Sequence, residues 1–437
     1  MRHPYPDYRD SGVEWLDDIP AHWELRSLRR MGSFFKGGGG TKEDEVENGI
    51  PCVRYGDLYT QHEFLIRNTR ASIGPENVGR YRHLEYGDVL FAGSGETIEE
   101  IGKSAVSLID GDAYCGGDVI VFRPSVEADA AFLGYTTDCR AAAYQKACMG
   151  RGVTVMHIYA SELKHLLVPL PPVDEQRAIA QFLDCETTKI DELAAKKRLL
   201  LERLGEYRTA LIARTVAQGL PPEAARAAGF DPSPPRKPSR VGWLGEIPQS
   251  WEVKQLRHVC HLAYGDSLPS EAREPGSVPV FGSNGIVDFH NAPNTSGPVI
   301  VIGRKGSFGA VNFSEGAAFA IDTTYFVDER CTRADLRWLY YVLPCTGLTD
   351  VSMDSAVPGL SRSHAYGKSV ALPPVGEQRA IAEFLDQQTE RIDVLVARVE
   401  MAIERLLEHR TALVTAAVTG KIDVRDRATA QARRVKA

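Results

Sequence analysis

The sequence has no Cys-x-x-Cys pair, no apolar run approaching the ~18 to 20 residues of a membrane span, and no surplus of basic charge. Its eight cysteines (Cys52, Cys115, Cys139, Cys148, Cys185, Cys260, Cys331 and Cys345) fall at irregular intervals, which argues against a disulfide framework and against paired zinc ligands. "HVCH" at His258 to His261 gathers three ligand-type residues, but adjacent side chains on a strand point to opposite faces and no second cluster follows, so no metal site is expected. The opening "MRHPYPDYRD" lacks the apolar stretch of a secretory signal, and with reduced thiols this leads us to expect a cytoplasmic protein. Lys and Arg number 51 against 58 Asp and Glu, a formal net charge of −7, where an autonomous nucleic-acid binder usually shows the opposite sign.

Catalytic signatures are missing too. There is no Gly-x-Ser-x-Gly, no His-Glu-x-x-His, no carboxylate pair in a hydrolase context, and no Asn/Asp-Pro-Pro-aromatic tetrapeptide of an amino-methyltransferase. "GSGETIEEIGKS" ends in Gly102, Lys103 and Ser104 like a phosphate loop, but Thr97 stands where that loop needs glycine. "GRKGSFG" (Gly303 to Gly309) has glycines without the rest of a nucleotide fingerprint and reads as a tight hairpin. No catalytic role is expected for this chain.

What the sequence does have is a duplication. "PPVDEQRAIAQFLD" begins at Pro171 and "PPVGEQRAIAEFLD" at Pro373, an offset of 202 (373 − 171) that holds without a gap to Leu220 and Ile422, with about half the positions identical. Upstream, "SGVEWLDDIPAHWELRSLRR" from Ser11 matches "SRVGWLGEIPQSWEVKQLRH" from Ser239 at an offset of 228 (239 − 11). The segment between the two blocks is therefore 26 residues longer in the first half (228 − 202).

The second block of each half reads as a long helix. Leu183, Ile190, Leu193, Leu200, Leu204 and Leu211, then Leu385, Ile392, Leu395, Val399, Leu406 and Leu413, recur at heptad-like steps and give each helix one narrow apolar seam. Prolines and the acidic Asp174 and Glu175 suit the first helix start, Gly219, Pro221 and Pro222 its end, and Gly420 ends the second. A seam that long needs a partner, and the other copy supplies one. Two similar units can pair about a pseudo-two-fold axis, giving an antiparallel coiled coil with the variable regions at opposite ends. The prolines of "QGLPPEAARAAGFDPSPPRKPSR" predict an extended linker between the halves.

The variable regions carry glycine, aromatics and short β-type runs such as "GDVLFAG", "GGDVIVFRP", "PVIVIG" and "TTYFVD", so each is expected to be an α+β domain with much loop. Their loops are short, polar and basic: Arg54 and Tyr55, Lys103, Arg151 and Thr154, then Ser283 and Asn284, Arg304 and Lys305, Ser361 and Arg362. Arg reads guanine bidentately, Asn reads adenine, and Lys, Ser and backbone amides hold phosphates, so these residues are candidate DNA contacts.

The order Trp-Leu-x-x-Ile-Pro-x-x-Trp, variable region, Leu-Pro-Pro-x-x-Glu-Gln-Arg-Ala-Ile-Ala-x-Phe-Leu-Asp with a long helix, then all of it again, strongly resembles the specificity subunit of type I restriction-modification systems. "PVFGSNGI", "GRKGSFGAV" and "FAGSGETIEEIGKSAV" look like that family as well, and the resemblance covers nearly the whole chain. It implies a non-catalytic subunit with two target recognition domains, each reading one half of a bipartite, asymmetric site on double-stranded DNA. The helices would set the spacing and dock two methyltransferase subunits. No cofactor is expected on this chain; S-adenosylmethionine would sit on the methyltransferase subunits, and ATP and Mg on restriction subunits where these join. The expected segments are recognition domains at 1–172 and 239–372, helices at 173–219 and 373–422, a linker at 220–238 and a tail at 423–437. The recognition subunit of another multisubunit restriction enzyme of this layout, or a free-standing DNA-binding regulator or scaffold, would fit the same residues.

Overall fold

Val173–Gln218 and Val375–Val418 form two helices, α1 and α2, of 46 and 44 residues, unbroken through Asp184 and Asp386. The computed structural model describes residues 4–350 and 359–425. It divides into two units, and both helices contribute to each: Met1–Lys197 with Met401–Ala437, and Arg198–Glu400. Both units combine helix with sheet.

The duplicated blocks build the same frame in each unit. In the first, Tyr8–Asp10 pairs antiparallel with Asp18–Pro20, and Glu24–Ser27 with Leu167–Leu170. In the second, Arg236–Pro238 pairs with Glu246–Pro248, and Glu252–Gln255 with Ser369–Leu372, in the same register at the offsets of 228 and 202. Arg236–Pro238 lies inside the expected extended linker, which also contains the short helix Pro222–Ala227. That segment is folded because its backbone finds a strand partner in Glu246–Pro248.

The Pro-Pro-x-x-Glu-Gln motif explains itself at the start of each long helix. Trp23, fully buried, donates its indole N–H to Glu175 Oε1 at 3.1 Å, and Trp251 donates to Glu377 Oε2 at 2.8 Å. Tyr5 and His22 also reach Glu175, at 2.5 and 2.8 Å. Burial pushes the Glu377 carboxyl above its ordinary range, and the Trp251 N–H pulls the other way. The glutamines act as clamps. Gln176 donates to the Pro171 carbonyl at 2.7 Å and accepts from the Asp129 amide at 2.9 Å; Gln378 does the same with Pro373 and Asp335, both at 2.8 Å. Asp129 and Asp335 cap the helices Ala130–Asp138 and Leu336–Val342, so one motif fixes a strand end, a cap and the long-helix start together.

The far end of the opposite helix closes each frame. α2 ends at Val418, and Gly420 follows at φ +74, where a Cβ would lie 2.3 Å from Pro20. α1 ends at Gln218, and Gly219 at φ +89 abuts Trp251 and Pro248. Leu183, Ile190, Leu413 and Ala417 join the first unit's core around Trp23, while Val216, Ala217, Ile381 and Leu385 join the second's around Trp251.

The covered stripe differs from the expected seam in one respect. Leu193, Leu200 and Leu395 are 44%, 45% and 46% exposed. The covered positions run Leu183, Thr187, Ile190, Ala194, Lys197, Leu201, Leu204, Arg208, Leu211 and Thr215, with their image at Leu385, Thr389, Ile392, Val396, Val399, Ile403, Leu406, Arg410, Leu413 and Ala417. These steps alternate strictly between four and three residues, so after Ile190 the stripe goes to Ala194, and Leu193 turns outward. Ion pairs lie on the same stripe. Arg410 Nε meets Asp191 at 2.9 Å in the first unit, and in the second Arg208 meets Asp393, the same residues under the offset of 202.

Between the frame blocks the units diverge. The first holds a five-stranded sheet, in order Gly32–Lys36, Val119–Pro124, Val89–Ala92, Ser104–Ser107, Phe64–Ile66, and a four-stranded one, Ala71–Ile73, Glu45–Val53, Ala113–Cys115, Arg82–Leu84. Among the described residues the second has one strand fewer in each: Ala263–Tyr264, Thr324–Val327, Val299–Gly303, Val311–Ser314, and then Gly285–His290, Val278–Gly282, Phe319–Ala320. With the helices Tyr55–Thr60 and Arg140–Met149, this is where the extra 26 residues (228 − 202) of the first half are used.

Candidate nucleic-acid interface

In the second unit the chain folds its candidate residues around one carbonyl. Thr323 O accepts from Ser283 Oγ at 2.8 Å, from the Arg304 amide at 2.9 Å and from the Lys305 amide at 3.2 Å. "GRKGSFG" is the hairpin tip between Val299–Gly303 and Val311–Ser314, as the sequence suggests. Gly303 is required there, since a Cβ would lie 2.1 Å from Ser307 O and 2.6 Å from Ser283 O. The Leu360 amide donates to Arg304 O at 2.9 Å, which brings in Ser361 and Arg362. Ser361 caps the helix Arg362–Gly367 by accepting from the His364 amide at 3.2 Å. Asn284 and Lys305 are exposed, Asn284 at the turn between Val278–Gly282 and Gly285–His290.

Two tyrosines that sequence reasoning did not single out organise this cluster. The Arg362 guanidinium sits 4.0 Å over the Tyr264 ring, and that of Arg304 lies 5.2 Å from the same ring and 5.9 Å from Tyr325. The two rings are 5.1 Å apart on paired strands. Arg304 donates to Asp322 O at 2.9 Å, and Tyr325 Oη donates to Leu360 O at 3.1 Å. Among the described residues neither arginine has a carboxylate within ion-pair distance, and the Nε of each is buried without a hydrogen-bond partner. The signal in the sequence was weak: Tyr325 sat inside an ordinary β-type run, and Tyr264 is its cross-strand neighbour only in space.

The first unit uses its cations differently. Lys103 is bound to Asp138 at 3.0 Å, and the buried Lys146 binds the same carboxylate at 2.8 Å and Thr137 O at 3.0 Å. Burial works against the Asp138 charge, but Lys146 and Lys103 outweigh it and hold the carboxyl below its usual range; burial pushes Lys146 down. Lys103 thus anchors the end of loop 93–103, where the sequence suggested a phosphate contact. Arg54 is also engaged, donating to Thr41 O at 3.1 Å and lying 3.6 Å from Glu45. Tyr55, Arg151 and Thr154 are exposed. Tyr59, not foreseen, ties the helix Tyr55–Thr60 to loop 93–103 through Ser94 O at 2.9 Å, and Ser94 pairs with His157 beside the Arg151–Gly152 strand. The helix that Tyr55 opens, Lys103 and the Arg151–Gly152 strand are thus tied to that loop, while Arg54 is held by Thr41 and Glu45.

Comparison with known proteins matches this duplicated layout. The type I restriction modification DNA specificity domain matches residues 20–203 and again 248–405. The chain belongs to that family. The MjaX specificity subunit of Methanocaldococcus jannaschii is 24% identical, over 94% of this chain and 96% of its own. The type I restriction enzyme EcoDI specificity subunit of Escherichia coli is 26% identical over 41% of this chain and 40% of its own. In fold, the chain is similar to one solved in a study of complex assembly and conformational transition of the type I R-M system, with a TM-score of 0.65, 20% identity, and coverage of 92% of this chain and 98% of that one. The HsdS subunit from Thermoanaerobacter tengcongensis follows, with a TM-score of 0.53, 18% identity and the same coverage.

Proposed function

We propose that this chain is the DNA sequence-specificity subunit of a type I restriction-modification enzyme, each unit reading one half of a bipartite, asymmetric site. The observation that carries this is one frame, repeated down to its hydrogen bonds, beneath two different sets of exposed polar loops. Family membership supports it. The recognition domains are residues 1–172 and 239–372, and the contacts to DNA come from Tyr55, Arg151 and Thr154 in the first and from Asn284, Lys305, Arg304 and Arg362 in the second.

The long helices then serve as connector and ruler. Within each unit the start of one helix lies beside the end of the other, and the recurring Arg–Asp pair supports an antiparallel coiled coil. The outward Leu193, Leu200 and Leu395 suit docking of the methyltransferase subunits, one for each copy of the duplicated helix. Those subunits bring S-adenosylmethionine and the chemistry; restriction subunits, where present, bring ATP and Mg. This chain supplies position and sequence choice. Neither half needs a large positive surplus, because its partners share the grip on DNA, which reconciles the role with a net charge of −7.

Adenine methylation mapped in the source genome with and without the gene tests the proposal. One bipartite motif should disappear on deletion. An unchanged methylation pattern, or methyl transfer by this chain purified free of other proteins, would refute it.

A further inference from the structure

We propose that Arg362 reads a guanine in the half-site of the second unit, with Tyr264 as the positioning residue that sets its plane; this rests on the DNA-specificity reading above. At 4.0 Å over the Tyr264 ring, the guanidinium spends its face on stacking. The Nε is buried, but the two Nη groups have no protein acceptor among the described residues and can match O6 and N7 of guanine with two parallel hydrogen bonds. Arg362 begins a helix capped by Ser361, so its backbone is fixed as well as its side chain. A phosphate contact needs no such rigidity, and the exposed Lys305 next to Arg304 is suited to that task.

The electrostatics point the same way. Arg304 and Arg362 crowd one ring with no carboxylate partner among the described residues, so their mutual repulsion stands until an acceptor-rich group arrives. The first unit also sets two arginines over one ring, Arg82 and Arg123 over Phe35, but there Arg123 is bound to Asp88 and Glu85. Gly93 takes the backbone place of Arg304, with its amide on Asp118 O at 2.7 Å and its carbonyl accepting from Ile158 at 3.0 Å, while Ala160 stands where Arg362 does at the offset of 202. Lys36, opposite Ile120, takes the strand position that Tyr264 holds opposite Tyr325. The guanine-reading device therefore belongs to one half-site alone.

The test uses the enzyme assembled with its methyltransferase subunits. In the wild type, the half-motif assigned to the second unit should contain a G·C pair, and replacing that guanine by 7-deazaguanine, which lacks the N7 acceptor, should weaken binding about 5- to 150-fold. Arg362→Ala should no longer respond to that replacement. Arg362→Met, which loses every donor, should methylate sites with any pair at that position and leave the other half-motif intact. Tyr264→Ala should relax the same position, and Tyr264→Phe should restore it. A half-motif without G·C, indifference of the wild type to 7-deazaguanine, or an unchanged motif with Arg362→Met would each overturn the proposal while leaving the specificity role standing. Loss of no methylated motif on gene deletion would overturn both.

Discussion

The two units share a frame and differ in how they use positive charge. In the first, Lys103 and Lys146 are spent on Asp138 and Arg54 on Thr41 and Glu45, so its cations hold loops in place. In the second, Arg304 and Arg362 are stacked on tyrosines and left without carboxylates among the described residues. The contrast shows that a basic residue in a glycine-rich loop is no guide to ligand contact until its neighbours are known. It also separates what stays constant from what varies: the Trp–Glu bond and the Gln clamp repeat residue for residue, while the segments between them differ even in strand number among the described residues.

The largest expected effect comes from exchange. Replacing residues 252–366 with the corresponding region of a relative should change one half of the methylated motif completely and leave the other half as it was, read by methylation mapping. A change in both halves would show that the units do not read independently.

A smaller effect, but one shared by both units, is expected at the paired tryptophans. Trp23 and Trp251 are both fully buried and both hold a glutamate of the long-helix start. Trp23→Ala and Trp251→Ala should each cost about 3–5 kcal/mol, with proteolysis opening only the unit that carries the substitution. Equal opening of both units by either variant would break the comparison.

The Arg–Asp pairs sharpen it most finely. Arg410 is buried, also binds Glu63 at 2.8 Å and lies 5.4 Å over the Phe64 ring, whereas Arg208 is partly exposed and its ion pair among the described residues is with Asp393. Arg410→Ala should destabilise by about 1–3 kcal/mol and Arg208→Ala by no more than about 0.5 kcal/mol, measured by chemical denaturation. Equal losses would mean that the extra contacts of Arg410 carry no energy.

Much of the fold was legible because repetition doubles every signal. The Pro-Pro-x-x-Glu-Gln motif, the helix stops at Gly219 and Gly420, and the hairpin of "GRKGSFG" were read in place from local chemistry. The seam was misread at Leu193 and Leu395 because leucine is a stronger apolar signal than the covered Ala194 and Val396, and at Leu200 because the covered Leu201 beside it gives the same signal one position on. Arg208 and Arg410 on the same stripe were invisible to a search for apolar residues, although both recur under the offset of 202. The candidate contacts were found as a group but not sorted: Lys103 and Asp138 are 35 residues apart (138 − 103), and nothing local announces their ion pair.

The sequence by itself determined the duplication, the two long helices with their ends, and the absence of recognisable catalytic motifs, since each depends on spacing along the chain and on local backbone preference. Only the tertiary structure decided which cations are tied down and which are held ready. Tyr264 meets Tyr325 and Arg362 through strand pairing and a loop nearly a hundred residues away (362 − 264 = 98), and the worth of a guanidinium depends on whether a carboxylate or an aromatic face reaches it first.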